Sequence, residues 1–243
     1  MPVTATLIPI LKDNYAWLLR DAATGATAIV DPAEAGPCIA AIDKAGGRLD
    51  QILLTHHHGD HIADADKVRA HYGAGVKMVG AAADAHRLPK LDVAVKDGDT
   101  VALGDSTATV IETPGHTVGQ INFHFADGGV LCSGDTLFSL GCGRIIEGTP
   151  ALMYASLRRL AALPDATLVC CGHEYTASNA RFAEHVDPNN VALQARIVEM
   201  TAQLAAGKPT VPSTMGRERA ANPFLLAPDL ATFTDRRAQK DKF

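Results

Sequence analysis

The sequence has no uninterrupted apolar run near the roughly 18 residues that a membrane-spanning helix needs, so an embedded membrane protein is not expected. It has no C-x-x-C pair, and its cysteines are odd in number, five in all. Cys38, Cys132, Cys142, Cys170 and Cys171 lie mostly in apolar, strand-like stretches, where cysteine behaves as a small hydrophobe; reduced core thiols are expected rather than a disulfide framework. Excess positive charge is also missing: 22 Lys and Arg against 27 Asp and Glu leave a net charge of -5, which argues against capture of a nucleic-acid backbone. The first eleven residues lack the basic start and small-residue cleavage site of a secretory signal, so the expected location is the cytoplasm. No internal repeat or low-complexity tract is visible. What remains is an ordinary globular composition, 47% apolar and 20% charged, over 243 residues, enough for one sizeable core or two smaller ones.

Charge and periodicity divide the chain. Residues 1–174 carry a net -7, whereas residues 175–243 carry +2. The first part reads as short β-rich runs at 5–10, 15–19, 26–30, 51–55, 76–79, 107–111, 121–125 and 130–132, with a further strand-like run at 168–171. Helices are interspersed. One is expected over 62–72, stopped by Gly73; another starts at Thr149 as N-cap with Pro150 in its first turn, and carries Leu152, Leu157 and Leu160 on one face as far as Leu163-Pro164. Beyond Cys171 strands are no longer expected. Leu193, Ile197, Met200 and Leu204 recur at helical spacing over 190–206, ended by Gly207 and Pro209, while 207–235 shows only weak periodicity and is assigned no structure.

Chemistry concentrates in Thr55-His56-His57-His58-Gly59-Asp60-His61, where a six-residue window holds four of the ten histidines. The window follows the apolar run 51–54 and precedes a helix, so it is the turn at the carboxyl end of a strand, where α/β proteins place their reactive groups. In an extended stretch His56 and His58 point to one side and can share an ion; Asp60 and His61, turning into the helix, can face a second. Further ligand types recur after apolar strands: His116 in Thr-Pro-Gly-His, Asp135 in Ser-Gly-Asp-Thr and His173 in Cys-Gly-His-Glu. Taken together they form a nitrogen and oxygen donor set without thiolate, suited to zinc, iron or manganese, with zinc placed first. His71, His86, His124 and His185 lack such context and are read as structural; His57 is read as a support of the ligands or as structural, and Asp31 and Glu174 as structural, with support of the ligands as the alternative.

The pattern T-H-x-H-x-D-H followed by TPGHT, SGDT and GHE resembles the metallo-β-lactamase superfamily, which implies an α/β fold built as a four-layer αββα sandwich. Carried over by position, the resemblance implies that His56, His58 and His116 hold one metal, that Asp60, His61 and His173 hold the other, and that Asp135 bridges them. Further motifs span nearly the whole chain: Leu11-Lys12-Asp13-Asn14-Tyr15, Gly141-Cys142-Gly143-Arg144 with Glu147-Gly148-Thr149, Gly172-His173-Glu174-Tyr175-Thr176, Asn222-Pro223-Phe224 and the run from Arg237 to Phe243. They are similar to the hydroxyacylglutathione hydrolase (glyoxalase II) family.

That resemblance implies a catalytic domain over residues 1–172 and a C-terminal helical substrate-binding domain over 173–243. It implies hydrolysis of S-D-lactoylglutathione to glutathione and D-lactate in methylglyoxal detoxification, by attack of a hydroxide bridging two divalent metals. Asp60 and Asp135 would serve catalysis as ligands and orienters, and Arg144, Tyr175, Arg237 and Lys240 would contact the glutathione part. The cationic cluster Arg236, Arg237, Lys240 and Lys242 suits a ligand with two carboxylates. Two positions depart from the family pattern: arginine stands at 144 where lysine is common, and Ile146 stands where an aromatic residue is frequent. The rival reading is another hydrolase or a persulfide dioxygenase on the same fold. The expectation is a monomeric enzyme acting on a small molecule, with neither nucleic acid nor membrane as partner.

Overall fold

Strand periodicity in the first half organises into two sheets. The computed structural model describes residues 2–243, which divide into two compact units, residues 2–112 with 119–134, and residues 113–118 with 135–243. In the first, β1 (Val3–Ile10), β2 (Asn14–Asp21), β3 (Thr27–Val30), β4 (Gln51–Leu53), β5 (Lys77–Ala81) and β6 (Val93–Val95) form one sheet in that order. The pairs β1–β2 and β2–β3 are antiparallel; from β3 to β6 the strands are parallel. Parallel strands are covered on both faces, which is why β3 is buried along its whole length. Helices α1 (Ala35–Lys44), α2 (Gly59–Ile62) and α3 (Ala65–Tyr72) follow β3 and β4. Ile8, Ile10, Leu18, Ile29, Ile52 and Met78 pack with Ile42 of α1 and Val68 of α3. The alternating residues Trp17, Leu19, Val30, Leu53 and Val79 are buried on the opposite face. Each such aliphatic side chain contributes about 1.5–3 kcal/mol when fully buried.

The second sheet of this unit is an antiparallel meander of β7 (Thr100–Leu103), β8 (Ser106–Glu112), β9 (Ile121–Phe125) and β10 (Val130–Gly134). Two expectations change. The helix anticipated over 62–72 is broken into α2 and α3, because Asp64 leaves helical geometry (φ -112°, ψ 13°) and uses its carboxylate to accept from the Ala35 backbone N–H at 3.0 Å. Helix α1 was not anticipated: Gly36 and Pro37 sit in its first turn, where proline is tolerated because the N–H it lacks has no intrahelical partner.

The second unit holds the hairpin β11 (Leu137–Phe138) and β12 (Gly141–Cys142), α4 (Pro150–Ala161), β13 (Leu168–Cys171), α5 (Thr176–Val186), α6 (Val191–Ala205), β14 (Ser213–Thr214), α7 (Met215–Ala221) and α8 (Leu230–Lys240). Thr149 caps α4 as its sequence promised, its hydroxyl accepting from Leu152 N at 3.2 Å. Its buried stripe, however, is Met153, Leu157 and Leu160; Leu152 is 40% exposed, one residue off the stripe. In α6 the expected stripe is buried at Leu193 and Met200, partly buried at Ile197 and exposed at Leu204. Residues 207–235 are not structureless. They carry β14, paired antiparallel with β13 through Leu168↔Thr214, then α7 and the start of α8, whose N-cap Asp229 accepts from Thr232 N at 2.8 Å. The five cysteines are free thiols, all buried.

Candidate functional site

In the first unit the histidine-rich turn leaves the carboxyl end of β4, as the sequence implied. Asp31, directly after β3, adopts a left-handed φ of 51° and turns its carboxylate onto this loop. It accepts from Thr55 N at 2.9 Å and from the Thr55 hydroxyl at 2.6 Å, and meets His61 Nδ1 at 3.0 Å. With the Thr55 proton given to Asp31, the hydroxyl oxygen is an acceptor for His56 Nδ1 at 3.0 Å. Both imidazoles therefore carry their proton on Nδ1 and present Nε2 as the donor nitrogen, the arrangement a metal ligand requires. The His56 ring lies 4.8 Å from that of His58 and 4.2 Å from that of His61. Asp60 is fixed by Asn14, whose amide donates to its Oδ2 at 3.0 Å and its backbone oxygen at 3.1 Å. That explains the Asn in the early Leu-Lys-Asp-Asn-Tyr motif, a role its sequence did not disclose. His57 faces away, with Nδ1 3.1 Å from Asp84.

In the second unit Asp135, only 6% exposed, lies between two imidazoles: its Oδ2 is 3.5 Å from His116 Nε2 and 3.3 Å from His173 Nε2. His116 donates its Nδ1 proton to the Arg144 carbonyl at 2.7 Å, again leaving Nε2 as the donor nitrogen. Gly143 is required here, since a Cβ on it would come within 2.0 Å of the Asp135 carbonyl oxygen. Glu174 does not join these donor groups; it accepts from Thr210 N at 2.8 Å and from the Thr210 hydroxyl. Two donor atoms bound about 2.1 Å from one tetrahedral ion stand about 3.4 Å apart. The separations around Asp135 have that spacing, and with buried imidazole and carboxylate donors the residues present fit a divalent metal.

A groove of about 510 Å³ opens from His116 and Asp135, entirely within the second unit. All four expected substrate contacts line it: Arg144, Tyr175, Arg237 and Lys240. Tyr175 stacks on His173 with ring centroids 4.5 Å apart and planes 8° from parallel. Arg237 is buried, donating to the Cys142 carbonyl at 3.0 Å and to Asp241 at 2.9 Å, 5.1 Å above the Phe224 ring. Lys240 donates to Ser178 O at 2.9 Å and to its hydroxyl at 3.1 Å. Desolvation together with the neighbouring charges of Arg237 and Arg181 lowers its pKa to about 8. Ile146 is 57% exposed at the same rim. Arg236 instead bonds to the Pro223 carbonyl at 2.5 Å, and neither it nor Lys242 lines the groove. Phe243, the end of the C-terminal motif, does, and so do Phe138, Ser178 and Asn179, which nothing in their local sequence marked. Among the described residues, His71, His86, His124 and His185 join no group of ligating side chains.

Residues 11–173 match the metallo-beta-lactamase superfamily, and residues 174–243 match the hydroxyacylglutathione hydrolase C-terminus. Among solved structures, ETHE1 from Myxococcus xanthus superposes with a TM-score of 0.73 at 24% identity, over 98% of this chain and 90% of that one, a likeness of fold. The chain belongs to the metallo-β-lactamase superfamily and has its α/β sandwich fold with a C-terminal helical region. A hydroxyacylglutathione hydrolase of Acidiphilium cryptum is 56% identical over 99% of this chain and 97% of its own length. One from Cereibacter sphaeroides is 53% identical over 95% and 90%. Within the superfamily, the chain is a member of the hydroxyacylglutathione hydrolases.

Proposed function

We propose that this enzyme hydrolyses S-(2-hydroxyacyl)glutathione, S-D-lactoylglutathione above all, to glutathione and the hydroxy acid. The observation that carries this reading is the groove, which joins the donor pair His116 and Asp135 to the cationic side chains Arg144, Arg237 and Lys240. Glutathione carries a carboxylate towards each end of a tripeptide whose sulfur is on the central cysteine, and a groove lined both by cations and by ligating groups suits it.

His56, His58 and His116 would hold one divalent metal and Asp60, His61 and His173 the other, with Asp135 as a ligand to both; zinc is the first choice, with iron or manganese compatible with the same donors. When bound, such a pair supplies an activated water near neutral pH and a Lewis acid for the thioester carbonyl. The chain's own residues do the rest. Asp31 and Thr55 hold His61 and His56 in the ligating tautomer, Asn14 fixes Asp60, and the Arg144 carbonyl fixes His116. Arg144, Tyr175, Arg237 and Lys240 bind the glutathione part and set the carbonyl over the donors. The leaving group is a thiol with a pKa near 8.5, so it departs as the anion without a strong acid beside it. Residues 173–243 act as the substrate-binding element of a monomeric cytoplasmic enzyme; the free, buried thiols suit a reducing compartment.

Thioester loss from S-D-lactoylglutathione, followed before chelation, after it and after metal is restored, tests the reading. Rapid, chelator-sensitive hydrolysis is expected. Protein carrying two metals that leaves the thioester intact overturns it.

A further inference from the structure

The hairpin β11–β12 forms part of the groove, through Phe138 and Cys142, yet it is only four paired residues around a turn whose Leu140 has a left-handed φ of 58°. A two-stranded hairpin is marginal by itself, and the left-handed region is unfavourable for a leucine. Its backbone is held from outside by buried side chains of the helical segment. Glu218 of α7, fully buried, accepts from Leu140 N at 2.7 Å, from the Ser213 hydroxyl at 2.5 Å and from Asn222 Nδ2 at 3.0 Å. The Asn222 amide also lies 3.2 Å from the Phe138 carbonyl and 3.0 Å from that of Gly141, and its Oδ1 accepts from Phe224 N at 3.0 Å. Asn179 of α5 donates to the Ser139 carbonyl at 3.1 Å. A Cβ at Gly141 would fall 2.3 Å from the Asn179 amide, so only glycine lets the two approach. Burial raises the pKa of Glu218, and its contact network and the charge of Arg196 oppose that rise.

The hairpin also separates two parts of the site. Asp135 lies two residues before β11; Arg144, whose carbonyl orients His116, lies two residues after β12; and Gly143 N returns to the Thr136 carbonyl at 3.2 Å. We infer that Glu218 and Asn222 are positioning residues for substrate: their buried network holds the Phe138–Cys142 hairpin in the shape that forms the groove wall, and so sets affinity for the glutathione part without touching it. This rests on the reading of the groove as a glutathione site. It gives the Asn-Pro-Phe motif a job in two halves. Asn222 sets the hairpin, and Phe224 lies beneath Arg237, whose guanidinium reaches the hairpin's last carbonyl.

The test compares the metal-loaded full chain with Glu218→Gln, which turns one acceptor oxygen into a donor, and Asn222→Ser, which removes the amide. Hydrogen exchange reports on the hairpin independently of any ligand, and calorimetry with S-methylglutathione reports on the groove. The expected result is exchange at least ten-fold faster in peptides covering 137–143, with peptides of β3 and β4 unchanged. S-methylglutathione binding weakens about ten-fold, KM for the thioester rises in parallel, and kcat and metal content stay within about two-fold. Either variant suffices if the other does not fold. Loosened hairpins with unchanged affinity, or unchanged exchange, overturn the inference. So does a lowered melting temperature as the sole effect, since that is all a merely structural role would produce. If the parent enzyme itself fails to bind S-methylglutathione, the glutathione reading falls, while the hairpin clamp is still judged by exchange.

Discussion

Asp135 is the side chain with most at stake, because one carboxylate oxygen serves two imidazoles at once. Asp135→Ala is expected to lose bound metal and to reduce kcat by more than about 100-fold, since even outer partners of metal ligands are worth 10–100-fold; metal analysis of the purified variant alongside its rate checks both. Asn14→Ala removes such an outer partner and should weaken metal affinity by about 10–100-fold in chelator competition, with little change in fold. Lys240 gives a pH signature. Its charge is disfavoured in the folded chain, so it is protonated below about pH 8 and neutral above, well before an unfolded lysine would be. Between those limits the unfolded chain binds the extra proton and folding stability rises with pH. Binding of a carboxylate moves the other way: KM should climb as pH passes from 7 to 9 and kcat should change less. Lys240→Met should show a KM about ten-fold higher at pH 7, worth about 1.4 kcal/mol, and flat with pH. Arg237→Ala should also raise KM more than it lowers kcat, but it removes a buried guanidinium from Cys142 and Asp241 as well, which makes the lysine the cleaner probe. The candidate donor residues were legible because they recur as short motifs after apolar strands. Thr55 and Phe138 act on the site through contacts that exist only in the folded chain, the Thr55 hydroxyl between Asp31 and His56 and the Phe138 ring beside His173, for which no local pattern exists.

Elements whose ends carry a cap or whose faces keep a period were readable; those relying on partners were not. Thr149, Pro150 and the leucine spacing announced α4, and its energetics can be checked there. Thr149→Ala should cost about 1 kcal/mol and Leu157→Ala about 2–5 kcal/mol, both measured by urea unfolding. Helix α5 has no side-chain N-cap bond and begins just after a ligand motif, so nothing local marks its start. Helix α7 contains Gly216, a weak point for a helix in isolation, where a Cβ would stand close to the Asp165 side chain, 3.0 Å away. In α8, Asp229 is an N-cap that could have been read, had its stripe not been thin: only Phe233 and Arg237 are buried.

For the whole molecule, the charge asymmetry and the two architectures agree in outline, with mixed and antiparallel sheets in the first unit and mostly helices in the second. Metal that binds only the folded chain must stabilise it, by RT ln(1 + [L]/Kd), so a chelator should lower the melting temperature and abolish activity together, and restored metal should recover both. Thiol counting offers an independent check: a thiol reagent should modify essentially none of the five cysteines in the folded protein and all five after denaturation. Burial raises the pKa of Cys38 and Cys171 to about 12 and that of Cys142 to about 11. Cys142 matters most, because it lines the groove from which glutathione would leave. Disulfide exchange needs a thiolate to attack a disulfide sulfur and expel a thiolate, so a Cys142 kept protonated is a poor nucleophile towards oxidised glutathione. Turnover should therefore survive preincubation with oxidised glutathione, measured against an untreated sample.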